Sequence, residues 1–158
     1  MPAAQSLQRR TAMGYIREIE IAAPRERVWR AWSSAPETEC WLAPRANVRF
    51  AEGEPYEFYW PDSPDNCTEG CRLREIRFEQ KLRFDWVAGS GYRDLFSAPN
   101  GPTTIEARFE SVDNKTLVTV EQFETRSMPG WAAYDEWMAD EWESSLQKLR
   151  AYCEDSAL

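Results

Sequence analysis

Trp131-Ala-Ala-Tyr-Asp-Glu-Trp-Met-Ala-Asp-Glu-Trp-Glu-Ser-Ser-Leu-Gln-Lys-Leu-Arg-Ala-Tyr-Cys153 is the stretch on which the fold turns. Trp131, Tyr134, Met138, Trp142, Leu146, Leu149 and Cys153 recur at steps of three and four, the signature of one long helix with a single buried stripe. Pro129-Gly130 supplies its entry turn. Asp135, Glu136, Asp140, Glu141 and Glu143 crowd the first half, whereas Lys148 and Arg150 lie near the end, the arrangement a helix dipole favours. A solvated face accounts for that charge run; acid recognition is the alternative.

Working upstream, the period changes to two. Val118 and Val120 alternate inward over Lys115 to Phe123, and Ile105, Ala107 and Phe109 do so over Thr103 to Val112, with Asp113-Asn114 as the turn between these strands. Lys81 to Val87 places Leu82, Phe84 and Trp86 on one face, and Gly70 to Phe78 forms a further strand. Tyr56, Phe58 and Trp60 alternate with Glu57 and Tyr59, and Val48 and Phe50 precede them across a turn near Glu52-Gly53. The stretch Gly89 to Pro102, rich in Gly and Pro with exposed-looking Tyr92 and Phe96, is expected to be a loop that serves as a lid.

At the other end, Ile16-Arg-Glu-Ile-Glu-Ile reads as a strand. Pro24 then opens a short helix to about Ser33, with Val28, Trp29 and Trp32 set against Arg25, Glu26, Arg27 and Arg30. A second short helix runs from Pro36 to about Leu42. Residues 1–14 are expected to be a flexible tail, and 15–154 a single domain. The order is therefore strand, two short helices, about six strands and one long helix, an α+β arrangement in which only the last helix is long enough to cover the sheet.

Composition narrows the function. The chain has 158 residues with 42% hydrophobic and 13% aromatic content, enough to build one core. A net charge of −8 disfavours phosphate backbones and anionic lipid, so neither nucleic acid nor membrane is an expected partner. With no histidine, Ser-His-Asp and Cys-His catalysis and HExxH zinc sites are excluded. The four cysteines, Cys40, Cys67, Cys71 and Cys153, are too few for a disulfide scaffold, and MPAAQSLQRRTAMGY carries no signal-peptide apolar core. A cytoplasmic protein with free thiols is the expectation. A zinc site would need Cys40 and Cys153 to converge on the Cys67/Cys71 pair, so neither metal nor cofactor is expected.

Ile16-Arg-Glu-Ile-Glu-Ile-Ala-Ala-Pro-Arg-Glu-Arg-Val-Trp-Arg-Ala-Trp, Trp41-Leu-Ala-Pro, Gly70 through Glu75-Ile76, Leu82-Arg-Phe-Asp-Trp86 and Glu141-Trp-Glu-Ser-Ser-Leu-Gln-Lys-Leu149 follow one another as they do in a known family. In that order and spacing the chain resembles the activator of heat-shock-protein-90 ATPase homologue family, within the START-like, or polyketide cyclase (SRPBCC), superfamily. The resemblance runs over roughly residues 15–153. Relatives commonly have Trp-Trp-Gly-Pro where this chain has Trp41-Leu42-Ala43-Pro44, and Gly-Gly where it has Gly53-Glu54-Pro55. The rim near the first helix-to-strand connection is accordingly expected to differ. The resemblance implies a helix-grip fold: a curved antiparallel sheet of about six or seven strands wrapped around the C-terminal helix, with two short helices after the first strand and a cavity between sheet and helix.

If the parities hold, Tyr56, Phe58, Trp60, Phe84 and Trp86 face Trp131, Tyr134, Met138 and Trp142, with Ile105 and Val120 completing an apolar wall. A groove so lined favours a flat apolar or aromatic ligand, although the same rings can simply fill a core. Gln122 continues the inward parity, and its amide needs a ligand, a water or a neighbouring backbone group. Glu75 and Arg77 read as a polar pair, internal or exposed. Three functional classes follow. The first is a module binding a small hydrophobic molecule, and the second a cyclase or aromatase-like enzyme with no diagnostic acid/base pair. The third is a partner of a chaperone ATPase, which the resemblance alone suggests. A homodimer through sheet edges is a further expectation.

Overall fold

The computed structural model describes residues 14–87 and 91–156. Strand β1 (Tyr15–Ile21) is followed by the short helices α1 (Arg25–Arg30) and α2 (Ala35–Thr38). Six strands come next, β2 (Arg45–Val48), β3 (Tyr56–Tyr59), β4 (Leu73–Arg77), β5 (Lys81–Trp86), β6 (Thr103–Val112) and β7 (Lys115–Gln122), and then helix α3 (Trp131–Ser156). Residues 1–13, and 88–90 at the start of the expected lid, lie outside the described residues.

The seven strands form two antiparallel ladders: a five-stranded sheet in the order β1-β7-β6-β5-β4, and the hairpin β2-β3. The hairpin is tied to β4 and the segment before it by isolated bridges, Pro55 to Arg72 and Tyr59 to Cys67, and by backbone hydrogen bonds from Gly53 N–H to the Leu73 carbonyl at 2.7 Å and from Leu73 N–H to the Glu54 carbonyl at 3.0 Å. Local chemistry explains the division. Pro55 has no N–H to donate, Gly70 turns the chain at φ +90°, and a register shift between Leu73 and Glu75 bends the start of β4.

Register aligns the inward residues in rows. Tyr15, Gln122, Ile105, Phe84 and Leu73 lie side by side across β1, β7, β6, β5 and β4, and Val120, Ala107 and Leu82 form the next row. Apart from Tyr15, which is nearly so, these residues are fully buried. The opposite face carries a charge ladder in which Glu106 stands directly across from Glu121. Arg108 bridges the two carboxylates at 2.6 and 2.9 Å, relieving what would otherwise be a like-charge pair. The Glu75–Arg77 pair is on the outside, at 3.1 Å.

The stripe of α3 packs into the concave side of the sheet, with Trp131, Tyr134, Trp142, Leu146, Leu149 and Cys153 essentially without exposed surface. Two expectations need correction. Arg27, assigned to the solvent side of α1, is buried because Glu37 pairs with it at 3.2 Å and the Tyr152 ring lies 4.7 Å from its guanidinium. Phe96, expected to be exposed, is buried, and Tyr92 is half-buried, because the segment from 91 to 102 folds down onto α3. Phe96 lies 5.2 Å from Tyr134 and 5.4 Å from Trp131, and Tyr92 lies 5.2 Å from Trp137.

Candidate functional site

Beneath the middle of α3 the space is filled with rings. Trp32 stacks on Trp142 at 6.2 Å, Tyr56 meets Phe58 at 4.9 Å and Phe84 at 5.0 Å, and the Tyr56 hydroxyl donates to the Trp32 carbonyl at 2.8 Å. Tyr56, Phe58, Phe84, Ile105 and Val120 have no exposed surface, so they form the packed wall behind any opening.

The opening lies along one flank of α3. A cleft of about 120 Å³ runs between α3 and the ends of β3 and β5, with Leu42, Trp60, Trp86, Val87, Trp137, Met138 and Trp142 as its apolar walls. Asn66, Glu141, Ser144, Ser145 and Lys148 also line it, and on α3 these are half-buried or exposed. The rings are held in place: Trp60 and Trp142 lie 6.3 and 5.0 Å from Trp86, and the Trp86 indole N–H donates to the Met138 sulfur at 3.3 Å. Of the residues singled out from sequence, Trp60, Trp86, Met138 and Trp142 meet at this cleft. The cleft also takes in Trp137, Leu42, Ser144 and Ser145, which sequence reasoning missed. Trp137 sits just off the stripe of α3, three residues from Tyr134, and a large ring at the margin of an amphipathic helix was its only signal.

Trp131, Tyr134 and Gln122 gather elsewhere, under the first turns of α3. Gln122 donates through Nε2 to the Glu124 carbonyl and to Asp135 Oδ1, both at 2.9 Å, and the Thr125 hydroxyl donates to Asp135 Oδ2 at 3.1 Å. Burial raises the Asp135 carboxyl above its ordinary range, against the lowering effect of its hydrogen bonds from Gln122 and Thr125. The segment from 91 to 102 closes this end and is tied down at both sides. Arg126 donates to the Gly101 and Pro102 carbonyls at 2.9 and 3.2 Å, with its guanidinium 4.9 Å from the Trp131 ring. Arg93 donates to the Asp65 and Cys67 carbonyls at 2.9 and 3.0 Å.

Burial pushes the Cys71 thiol up to about 12 and the Cys153 thiol up to about 11, so neither is a thiolate at neutral pH. Among the described residues no cluster of three or more Cys, Asp or Glu could hold a metal ion.

An antiparallel sheet closed over a C-terminal helix, with two short helices after the first strand, is the helix-grip architecture of the START-like superfamily. Within it, the chain belongs to the family of Activator of Hsp90 ATPase homolog 1-like protein, whose model matches residues 22–154. No curated protein sequence matches the chain. Among solved structures, a protein from Mesorhizobium loti superimposes with a TM-score of 0.72 at 16% identity, over 90% of this chain and 99% of its own. A protein from Arthrobacter aurescens gives 0.69 at 18% identity, over 92% and 88% of the two chains. The Aha1 dimer from Colwellia psychrerythraea gives 0.66 at 15% identity, over 88% and 94%. At these identities the likeness is one of fold. Among the described residues no helix is long and apolar enough to cross a membrane.

Proposed function

We propose that this protein binds a small, flat, apolar molecule, seating one aromatic ring in the cleft between α3 and the ends of β3 and β5. The observation that carries this reading is the cleft itself, about 120 Å³ walled by Trp60, Trp86, Trp137 and Trp142. An apolar cavity of roughly 150 Å³ takes one benzene ring, so the cleft suits a ring, and the remainder of a larger ligand would emerge past Ser144, Ser145 and Lys148.

Titrating intrinsic Trp fluorescence with naphthalene, indole and decanoate tests it. Saturable quenching by naphthalene or indole, abolished in Ser145→Phe, is expected; flat curves for all three, or curves unchanged in Ser145→Phe, would overturn it. Saturation by decanoate alone would replace an aromatic ligand with a lipid. Stimulation of a heat-shock ATPase, the activity in the family's name, is the separate outcome a parallel ATPase assay would reveal. A second reading, a homodimer, is favoured by β1, which pairs with β7 on one side and ends the ladder on the other. Light scattering decides it.

A further inference from the structure

Where β7 ends, the interior changes from aromatic to polar. Gln122 stands directly between Tyr15 on β1 and Ile105 on β6, and Tyr134 descends from the first turn of α3. Gln122 and Tyr134 are completely buried and Tyr15 is 7% exposed. The Gln122 amide cannot turn over without breaking both Nε2 bonds, to Glu124 and Asp135, so its Oε1 is a fixed acceptor facing the interior without a partner. The Tyr15 and Tyr134 hydroxyls also lack hydrogen-bond partners, although the Trp142 N–H acts on the Tyr15 oxygen without an aligned bond. Burial raises both phenols, so each keeps its proton at neutral pH and can donate as well as accept. Beside these residues, between the start of β1 and α3, runs a groove of about 450 Å³ whose walls include Tyr15 and Asp135.

We propose that Tyr15, Gln122 and Tyr134 form a second binding site, separate from the tryptophan cleft, that takes the hydroxyl of a small neutral phenol. A hydroxyl donates to Gln122 Oε1 and accepts from a tyrosine at once. A carbonyl has no proton for Oε1. A carboxylate lacks that proton too, and its charge would come to lie beside Asp135, which Gln122 already holds at 2.9 Å. An ammonium can accept nothing from the tyrosines and would bring an unpaired charge into the interior. The ring has Ile105, in the same row, to lie against.

The probe is 4-methylphenol, titrated into the full chain labelled with nitrogen-15 while the Gln122 side-chain amide and the Trp131 and Trp142 indole signals are followed. Toluene and benzoate are the controls. Saturable shifts with 4-methylphenol are expected, with the affinity about tenfold weaker in Tyr134→Phe and unchanged in Ser145→Phe. Tyr15→Phe serves if Tyr134→Phe does not fold. Equal affinity in the tyrosine variants, benzoate binding as tightly as 4-methylphenol, or no saturable shift would each overturn the proposal. Loss of 4-methylphenol binding in Ser145→Phe would also overturn it, by assigning the phenol to the cleft. The cleft reading fails independently, by naphthalene and indole not binding.

Discussion

On the β5 flank of α3 the ring of Trp86 packs against Trp142 and its indole N–H finds the Met138 sulfur at 3.3 Å, so both its apolar body and its polar tip are satisfied. On the β1 flank, Tyr134 packs just as closely, 4.9 Å from Trp131 and 5.2 Å from Phe96, yet its hydroxyl ends in the interior with no partner. The two flanks share a helix and a residue vocabulary. They differ at the tips of Trp86 and Tyr134, the first paired and the second not. A tip satisfied by the chain adds to packing, whereas a buried tip without a partner carries a desolvation cost that a bound group would offset. The first flank is thus an apolar cleft with polar residues along it, the second a set of buried polar tips under an apolar cover.

Trp142 belongs to both flanks, stacked on Trp32 and acting on Tyr15, so removing it should damage the molecule most. Trp142→Ala is expected to cost about 3–5 kcal/mol, read from urea unfolding. A loss below about 1 kcal/mol would mean that the two flanks are structurally independent, contrary to a shared core.

The polar flank has its own covalent limit at Gly14, whose N–H donates to the Gln122 carbonyl at 3.0 Å. A Cβ there would run into Gln122 Nε2 and lie 2.7 Å from the Glu124 carbonyl, a backbone atom that cannot swing aside. Gly14→Ala is expected to destabilise by about 1–3 kcal/mol and to shift the Gln122 amide signals while leaving those of the cleft tryptophans in place. Shifts in the cleft with none at Gln122 would reverse the assignment.

Much of this was legible beforehand, for a physical reason. Val118, Val120 and Gln122, or Tyr134, Met138 and Trp142, declare their side by period alone, since strand and helix geometry leave no other choice once one face is buried. Gln122 was accordingly placed inside, and it is. Contacts made by chain segments far apart in sequence left no periodic trace. Arg27 is buried because Glu37 and Tyr152 come to meet it, and the segment from 91 to 102 lies down because Arg126 and Arg93 hold its carbonyl ends or its flank. The opening was hardest to place. Tyr56, Phe58 and Phe84 read as cavity lining, but their size lets them close the space under α3, while small Ser144 and Ser145 leave room at its side.

A pair of conservative changes sharpens the comparison of paired and unpaired tips. The Tyr56 hydroxyl donates to the Trp32 carbonyl at 2.8 Å, so Tyr56→Phe should cost about 1 kcal/mol. Tyr134→Phe removes a buried hydroxyl without a partner, and should be neutral or stabilising by up to about 1 kcal/mol. Equal losses in the two variants, measured by the same unfolding experiment, would show that the Tyr134 hydroxyl is as well satisfied as that of Tyr56.

The smallest effect is the one that depends on pH. Burial raises the Asp135 carboxyl, and the bonds from Gln122 and Thr125 only partly oppose this. A carboxyl whose folded value lies above its unfolded value, about 4, stabilises the fold below that unfolded value, and the contribution disappears as pH rises through the folded one. At neutral pH Asp135 therefore gives less than it does in acid. Asparagine in its place can still accept from Gln122 through its carbonyl oxygen, and the Thr125 hydroxyl can turn to accept from its amide, but it does not titrate. The stability of Asp135→Asn relative to the parent should thus increase as pH is raised from about 3 to about 7, with most of the change above the ordinary carboxyl value. Unfolding midpoints of both proteins across that interval measure it. A difference that stays flat or narrows would mean that the hydrogen bonds outweigh burial, and that the polar flank holds a carboxylate more comfortably than its surroundings imply.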